Sequence, residues 1–237
     1  MNFGKYIRKT TVILSFMFSL FFISDIISAQ TLPHSQINKL YIDYMIEKHR
    51  NPEYFESISG TPYANIVFSD GLVYIEGNEI PVKAKMRYNN WIDEMEFLRE
   101  TPDTILLLEN KQEIDSILLN NHIWKYLGYI KKDKIGKGYF KVLYNGACNL
   151  YEMQRKEFQP ERKPQVGYET YKAAEFNTLP AEYYVQFRNG PLIYLPNSKR
   201  KLLNVFRDEG YKVNWNKKIK YNPEFIIPFV QTVCANK

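Results

Sequence analysis

The side chains best suited to chemistry are the carboxylates Asp93, Glu94 and Glu96, the histidines His34, His49 and His122, and the cysteines Cys148 and Cys234. A carboxylate pair could do acid–base work on a glycoside, flanking the scissile bond. Asp93, Glu94 and Glu96, however, fall in a stretch that supplies cations to face them, so structural pairing is expected. The histidines show no metal-ligand spacing: there is no HExxH and no Cys-rich or Asp-rich pattern. They read as solvated or packed imidazoles. No G-x-S-x-G is present, and Gly136-Lys137-Gly138 is too sparse for a phosphate loop and precedes no helix. No catalytic, cofactor-binding or metal-ligating residue is therefore expected. Cys148 and Cys234 could pair as a disulfide in an oxidising compartment. Two small buried hydrophobes are the alternative, because the Cα spacing that decides between them is not legible in a sequence.

The remaining functional signal is aromatic. The chain has 19 Tyr, 15 Phe and 3 Trp in 237 residues. Exposed Trp and Tyr can stack on sugar rings or anchor a partner. Tyr88 and Trp91 lie at the tip of a predicted hairpin, and Trp124 and Tyr126 share a strand face. These four are the candidate ligand or partner contacts, weighed against a core that is simply Tyr-rich. Trp91 is expected to be partly exposed, touching a ligand or docking under a helix over 36–49.

The element that places these groups is Ile80–Leu98. Ile80, Val82, Ala84 and Met86 alternate with Lys83, Lys85 and Arg87, and Glu94–Phe97 alternate again, the period-2 pattern of strands. Setting Arg87 against Glu94 puts Lys85 opposite Glu96, Met86 opposite Met95 and Ala84 opposite Phe97. One face is then charged and the other apolar. Around this hairpin the sequence predicts many short strands. Asn65–Ser69 turns at Asp70-Gly71 into Leu72–Glu76. Thr104–Leu108 is apolar throughout and expected to be central in its sheet. Ile114–Leu119 and Ile123–Ile130 follow, and Gly136 and Gly138 introduce Tyr139–Tyr144. Asn145-Gly146 turns into Ala147–Gln154. Phe158–Gly167 reads as an exposed loop. Tyr168–Phe176, Tyr183–Phe187 and Leu192–Leu195 complete the strands. The fold class is mainly β, an antiparallel meander forming a sandwich or open barrel, with helices at its ends.

Those helices are one over 36–49 and two near the C-terminus. Leu202, Leu203 and Phe206 make one face of a helix over 198–208 that stops at Gly210. Asn222-Pro223-Glu224 opens the second, whose stripe is Phe225, Ile226, Phe229, Val230 and Val233, with Pro228 a local kink. Four segments result: a signal peptide over 1–29, a helical segment over 30–59, a β domain over 60–196 and a helical cap over 197–237. The first rests on the cations Lys5, Arg8 and Lys9, the short apolar run Val12–Ser24 and the cleavage pattern Ser28-Ala29. That run is shorter than the ~20 residues that span a bilayer, so cleavage without a transmembrane anchor is expected. Removing Lys5, Arg8, Lys9 and Asp25 lowers the net charge from +6 to +4, without a basic cluster that would suggest nucleic acid.

The runs Gly60–Asn65 (GTPYAN), Lys85–Phe97 (KMRYNNWIDEMEF) and Lys137–Tyr151 (KGYFKVLYNGACNLY) resemble an uncharacterised family of exported, β-rich Bacteroidota proteins over about residues 60–235. The resemblance implies a fold type and a compartment, periplasmic or secreted, and carries no activity. The expected function is thus an exported β-rich binding or envelope-associated protein, with an unknown protein or glycan partner in the cell envelope. The alternative is an exported hydrolase, for example on glycans, with a site assembled from loop carboxylates.

Overall fold

The computed structural model describes residues 57–99, 104–108, 110–163, 170–216 and 218–235. The expected leader and the 36–49 helix lie outside them. The described strands are β1 (Ser69–Ile75), β2 (Val82–Asn89), β3 (Glu94–Arg99), β4 (Thr104–Leu107), β5 (Ile114–Leu119), β6 (His122–Lys131), β7 (Lys134–Tyr144), β8 (Cys148–Met153), β9 (Lys156–Gln159), β10 (Glu175–Thr178), β11 (Glu182–Phe187) and β12 (Leu192–Leu195). Two helices follow, α1 (Lys199–Asp208) and α2 (Pro223–Ala235).

The fold is mainly β, as expected. Ten strands form one sheet in the order β12-β11-β8-β7-β6-β5-β1-β2-β3-β4, with antiparallel neighbours throughout. A short parallel pairing, Leu192 with Tyr129 and Ile193 with Ile130, then joins β12 to β6. The sheet thereby closes into a five-stranded barrel of β6, β7, β8, β11 and β12, with β5, β1, β2, β3 and β4 continuing beyond it. β9 and β10 form a separate two-stranded sheet.

A barrel of so few strands is filled by side chains. The filling here is aromatic. Phe140 and Tyr184 are fully buried, 5.0 Å apart, and Tyr129 lies 5.6 Å from Phe140 and 5.4 Å from Tyr184. The contacts of Tyr184 with Phe140 and Tyr129 join strands that are not neighbours, so they cross the lumen. Gly136 serves this packing: a Cβ there would come within 2.6 Å of the Tyr129 ring. Gly136 and Gly138 lie inside β7 rather than before it.

The outer face of the barrel follows one row of partners, Ile117–Trp124–Lys141–Glu152–Tyr183–Leu195. One half of this face is covered by α1 and α2. Their buried residues Leu202, Leu203, Phe206, Ile226, Phe229, Val230 and Val233 share a core with Leu150, Val185 and Leu195. α2 begins as predicted, with Asn222 Oδ1 accepting from Phe225 N at 3.3 Å, and α1 stops before Gly210, whose φ is +82°, while Ser198 at the start of α1 makes no side-chain capping bond. Phe225 of the expected stripe is more than a third exposed. Cys148 and Cys234 are joined as a disulfide, Cα–Cα 5.9 Å, tying α2 to β8.

The other half is covered by the curled continuation of the sheet, where Met86, Tyr88 and Met95 pack on Val73, Ile117, Trp124 and Tyr139. Here the structure departs from the sequence reading, first in the hairpin. The β2–β3 register pairs Arg87 with Glu96, Tyr88 with Met95 and Asn89 with Glu94, two residues beyond the expected offset. A two-residue shift preserves which side chains share a face, so Lys85 and Glu96 stay on one side. That side is not wet at the tip, because the irregular strap 59–68, expected to be a strand over 65–69, lies across it. The Arg87 guanidinium sits 3.5 Å from the Tyr63 ring centre and 4.2 Å from that of Phe68, and donates to Ile66 O at 2.9 Å.

Second, Asp70-Gly71 is not a turn but lies within β1. A Cβ at Gly71 would meet Met86 Sδ at 2.7 Å and Leu118 O at 2.9 Å, so the glycine permits close sheet packing. Third, β4 is the last strand of the sheet among the described residues, and Leu106 on it is 45% exposed. Its apolar run marks an edge rather than a centre. Fourth, Phe158 belongs to β9, paired with Phe176 of β10, instead of an exposed loop.

Candidate functional site

The hairpin cover leaves a seam against the barrel, and the seam holds a cavity of about 160 Å³. Its floor is the outer face of the barrel: Trp124 from β6, Lys141 from β7, Glu152 from β8 and Gln154 just beyond. Tyr88 and Asn90 from the hairpin tip overhang it, with Leu119, Asn120 and His122 closing one side and Ala64 and Asn65 another. The β5–β6 turn reaches this wall because Asn120 and Asn121 both adopt positive φ, 51° and 61°. That is the geometry of a tight hairpin turn, and Asn tolerates it.

The seam is polar and charge-balanced. Lys141 pairs with Glu152, and the residues are opposite one another in the β7–β8 ladder. Burial and the neighbouring Glu152 carboxylate together raise Tyr183 to about 12. Asn90 is 2% exposed. Its Nδ2 donates to Gln154 O at 2.8 Å, which orients the amide, and its N–H donates to Pro62 O at 2.9 Å. Asn90 Oδ1 is buried and has no hydrogen-bond partner among the described residues. A buried acceptor left unmatched costs about 1–3 kcal/mol, so the position is informative.

Of the four aromatic candidates the structure brings two together here. Tyr88 and Trp124 line the cavity with ring centres 4.6 Å apart. Both are core residues, 1% and 9% exposed, so neither offers an open stacking platform. Trp91 and Tyr126 lie elsewhere. Half-buried Trp91 packs against Phe176 at 5.5 Å and Phe158 at 6.1 Å, docking on the β9–β10 sheet. Tyr126 packs on Tyr139 at 5.0 Å beneath the Lys111 ammonium. Asn90, Lys141, Glu152 and Gln154 were missed by sequence reasoning. Asn90 resembles any turn asparagine, and the connection after Tyr144 sets that residue opposite Leu150 rather than Ala147, so the Lys141–Glu152 pairing lies outside the register that Asn145-Gly146 suggests.

The carboxylates of the hairpin form a second polar centre. Glu94 is ion-paired with Lys111, and Glu96 accepts from Arg87 Nε at 2.8 Å and Asn89 Nδ2 at 2.8 Å. Asp93 hooks over the barrel rim, accepting from Tyr88 Oη at 2.5 Å and Tyr139 N at 3.2 Å, with Arg155 at 3.7 Å. Gly138 makes room for it, since a Cβ would lie 2.5 Å from Asp93 Oδ2. Burial raises the Glu94 carboxyl to about 7 against the pull of Lys111, and raises Asp93 against that of Arg155. Structural pairing thus holds, with Lys111 in place of Arg87 opposite Glu94, and Arg87 in place of Lys85 opposite Glu96. Neither Asp93 nor Glu94 lines the seam cavity. No cluster of three metal-ligating side chains occurs among the described residues. Comparison of the chain with protein-family models, with curated proteins and with solved structures found no match.

Proposed function

We propose that this chain is an exported binding protein, periplasmic or secreted, and that the seam cavity is its ligand site. The observation that carries the reading is that Asn90 lines the cavity while its buried Oδ1 lacks a partner among the described residues, a place a bound donor could fill. Export is supported by the cationic and apolar leader pattern and by the pairing of both cysteines. The resemblance to exported Bacteroidota proteins points the same way. The hydrolase alternative is the weaker reading, because the carboxyl groups with raised pKa are committed to Lys111, Tyr88 and Arg155 rather than open to a substrate.

The test is a native-envelope extract applied to the isotope-labelled chain over residues 30–237, followed by the side-chain amide resonances of Asn90 and Gln154. Binding in the seam shifts both. An extract component that binds without moving either resonance places the site elsewhere. N-terminal sequencing of the mature protein checks export separately, and Met1 found intact would defeat it.

A further inference from the structure

We infer that the seam ligand is a neutral, polyhydroxylated ring of about one monosaccharide unit; this rests on the cavity being the binding site. Three properties of the lining narrow the chemistry. The first is polarity type. Asn90 Oδ1 needs a donor, which sulfate and carboxylate anions do not supply at neutral pH. The second is charge. Lys141 and Glu152 neutralise one another across the ladder, so the floor offers no net attraction to an anion or a cation. Either ion would have to break a partly buried pair to be solvated. The third is reciprocity. Asn65, Asn90, Asn120 and Gln154 are amides, and each presents both a donor and an acceptor. A hydroxyl group does the same, so a ring of hydroxyls can satisfy such a wall without leaving a lone partner.

Size and shape set the rest. The cavity, at about 160 Å³, lies below the roughly 300–1,000 Å³ of sites for drug-sized ligands. A single ring fits that scale better than a chain. Trp124 and Tyr88 reach the lining only with their edges, so the amides rather than a stacking face set the ligand class.

The experiment uses the chain over residues 30–237 and free monosaccharides as probes: glucose, galactose, mannose and N-acetylglucosamine, each at millimolar concentration. Inorganic phosphate and acetate form the charged arm. The expected result is saturable shifts of the Asn90 and Gln154 side-chain amides with at least one sugar and none with the anions. Asn90→Leu should weaken that binding by about tenfold or more, since the matched acceptor is removed. Should Asn90→Leu misfold, the exposed rim residue Gln154 provides Gln154→Ala, expected to weaken binding while leaving the melting temperature unchanged. Saturable shifts with an anion and none with any sugar would overturn the ligand class and leave the cavity reading standing. No shift with any sugar or anion also overturns the ligand class, and the cavity reading then stands or falls on the envelope extract.

Discussion

Beneath α1 and α2 the outer face of the barrel meets Leu202, Phe206, Ile226, Phe229 and Val230, every one of them apolar. Beneath the β2–β3 hairpin it meets Met86, Tyr88 and Met95, but that cover also buries Arg87, Asn89, Glu94 and Glu96. Two covers on one sheet thus use different means. The helical cover is held by non-directional burial and one covalent tie, and many sequences of similar volume would serve. The hairpin cover is held by polar groups that must each find a partner of the right geometry. The cavity lies where the second kind of cover meets the barrel, and polar groups there are already oriented.

The largest expected effect lies on the helical side. Reducing Cys148–Cys234 opens a loop spanning 86 residues, which in the chain-entropy account removes about 4–5 kcal/mol. Urea denaturation with and without reductant should show that loss. A midpoint that does not move would mean that apolar packing alone secures α2.

On the hairpin side the expected effects are smaller and depend on pairing. Arg87→Met leaves Glu96 buried with only Asn89 as donor, and should destabilise by about 3 kcal/mol. Arg87→Met with Glu96→Leu and Asn89→Ala removes both charges and the donor that faces them, and should recover part of that loss. If that combined variant is as unstable as Arg87→Met alone, stacking of Arg87 on Tyr63 and Phe68 and the capping by Asn89 matter more than the charge pair.

Legibility in the sequence divides along the same line. The helical cover was readable because its signal is periodic: Leu202, Leu203 and Phe206 recur at helical spacing and Gly210 ends the run. β5 and β12 were readable to the residue, as alternating or bounded apolar runs. The hairpin's existence and faces were readable from alternation, but its offset was not. Alternation fixes a register only modulo two, and the closing turn, Asn90–Asp93, has no glycine to mark it. Gly71 and Gly138 misled for one physical reason. Glycine signals a turn locally, yet here it makes room for Met86, Leu118 and Asp93, which are distant in sequence. The candidate site was least legible. It depends on a strap crossing a hairpin tip and on a bulge, and neither leaves a local pattern.

Glu94 sharpens the comparison through pH. Its carboxyl is raised from about 4.5 to about 7 in the folded protein, chiefly by burial. The protonated form is therefore favoured by folding. Its contribution to stability is full below about pH 4.5 and declines as pH rises toward 7. The decline should be roughly 2–3 kcal/mol. Glu94→Gln cannot titrate, so the stability difference between wild type and variant should slope across pH 4.5–7 and flatten above it. A difference independent of pH would mean that Lys111 holds the carboxylate ionised throughout.

The smallest effect belongs to a pair with the same chemistry but without the cover. Lys125 Nζ lies 3.2 Å from Asp115 Oδ1, with the two side chains 32% and 60% exposed. Water screens both charges, and holding two flexible side chains together offsets part of the attraction. Lys125→Met should therefore change stability by less than about 1 kcal/mol, and high salt should erase even that. The Arg87–Glu96 pair, with side chains 10% and 0% exposed, should keep most of its effect in the same salt. Measuring both variants by denaturation at low and high ionic strength isolates burial as the variable. If the two pairs lose equal fractions of their effect in salt, then solvent reaches beneath the hairpin. The polar cover would then be a loose lid rather than an oriented wall for the cavity.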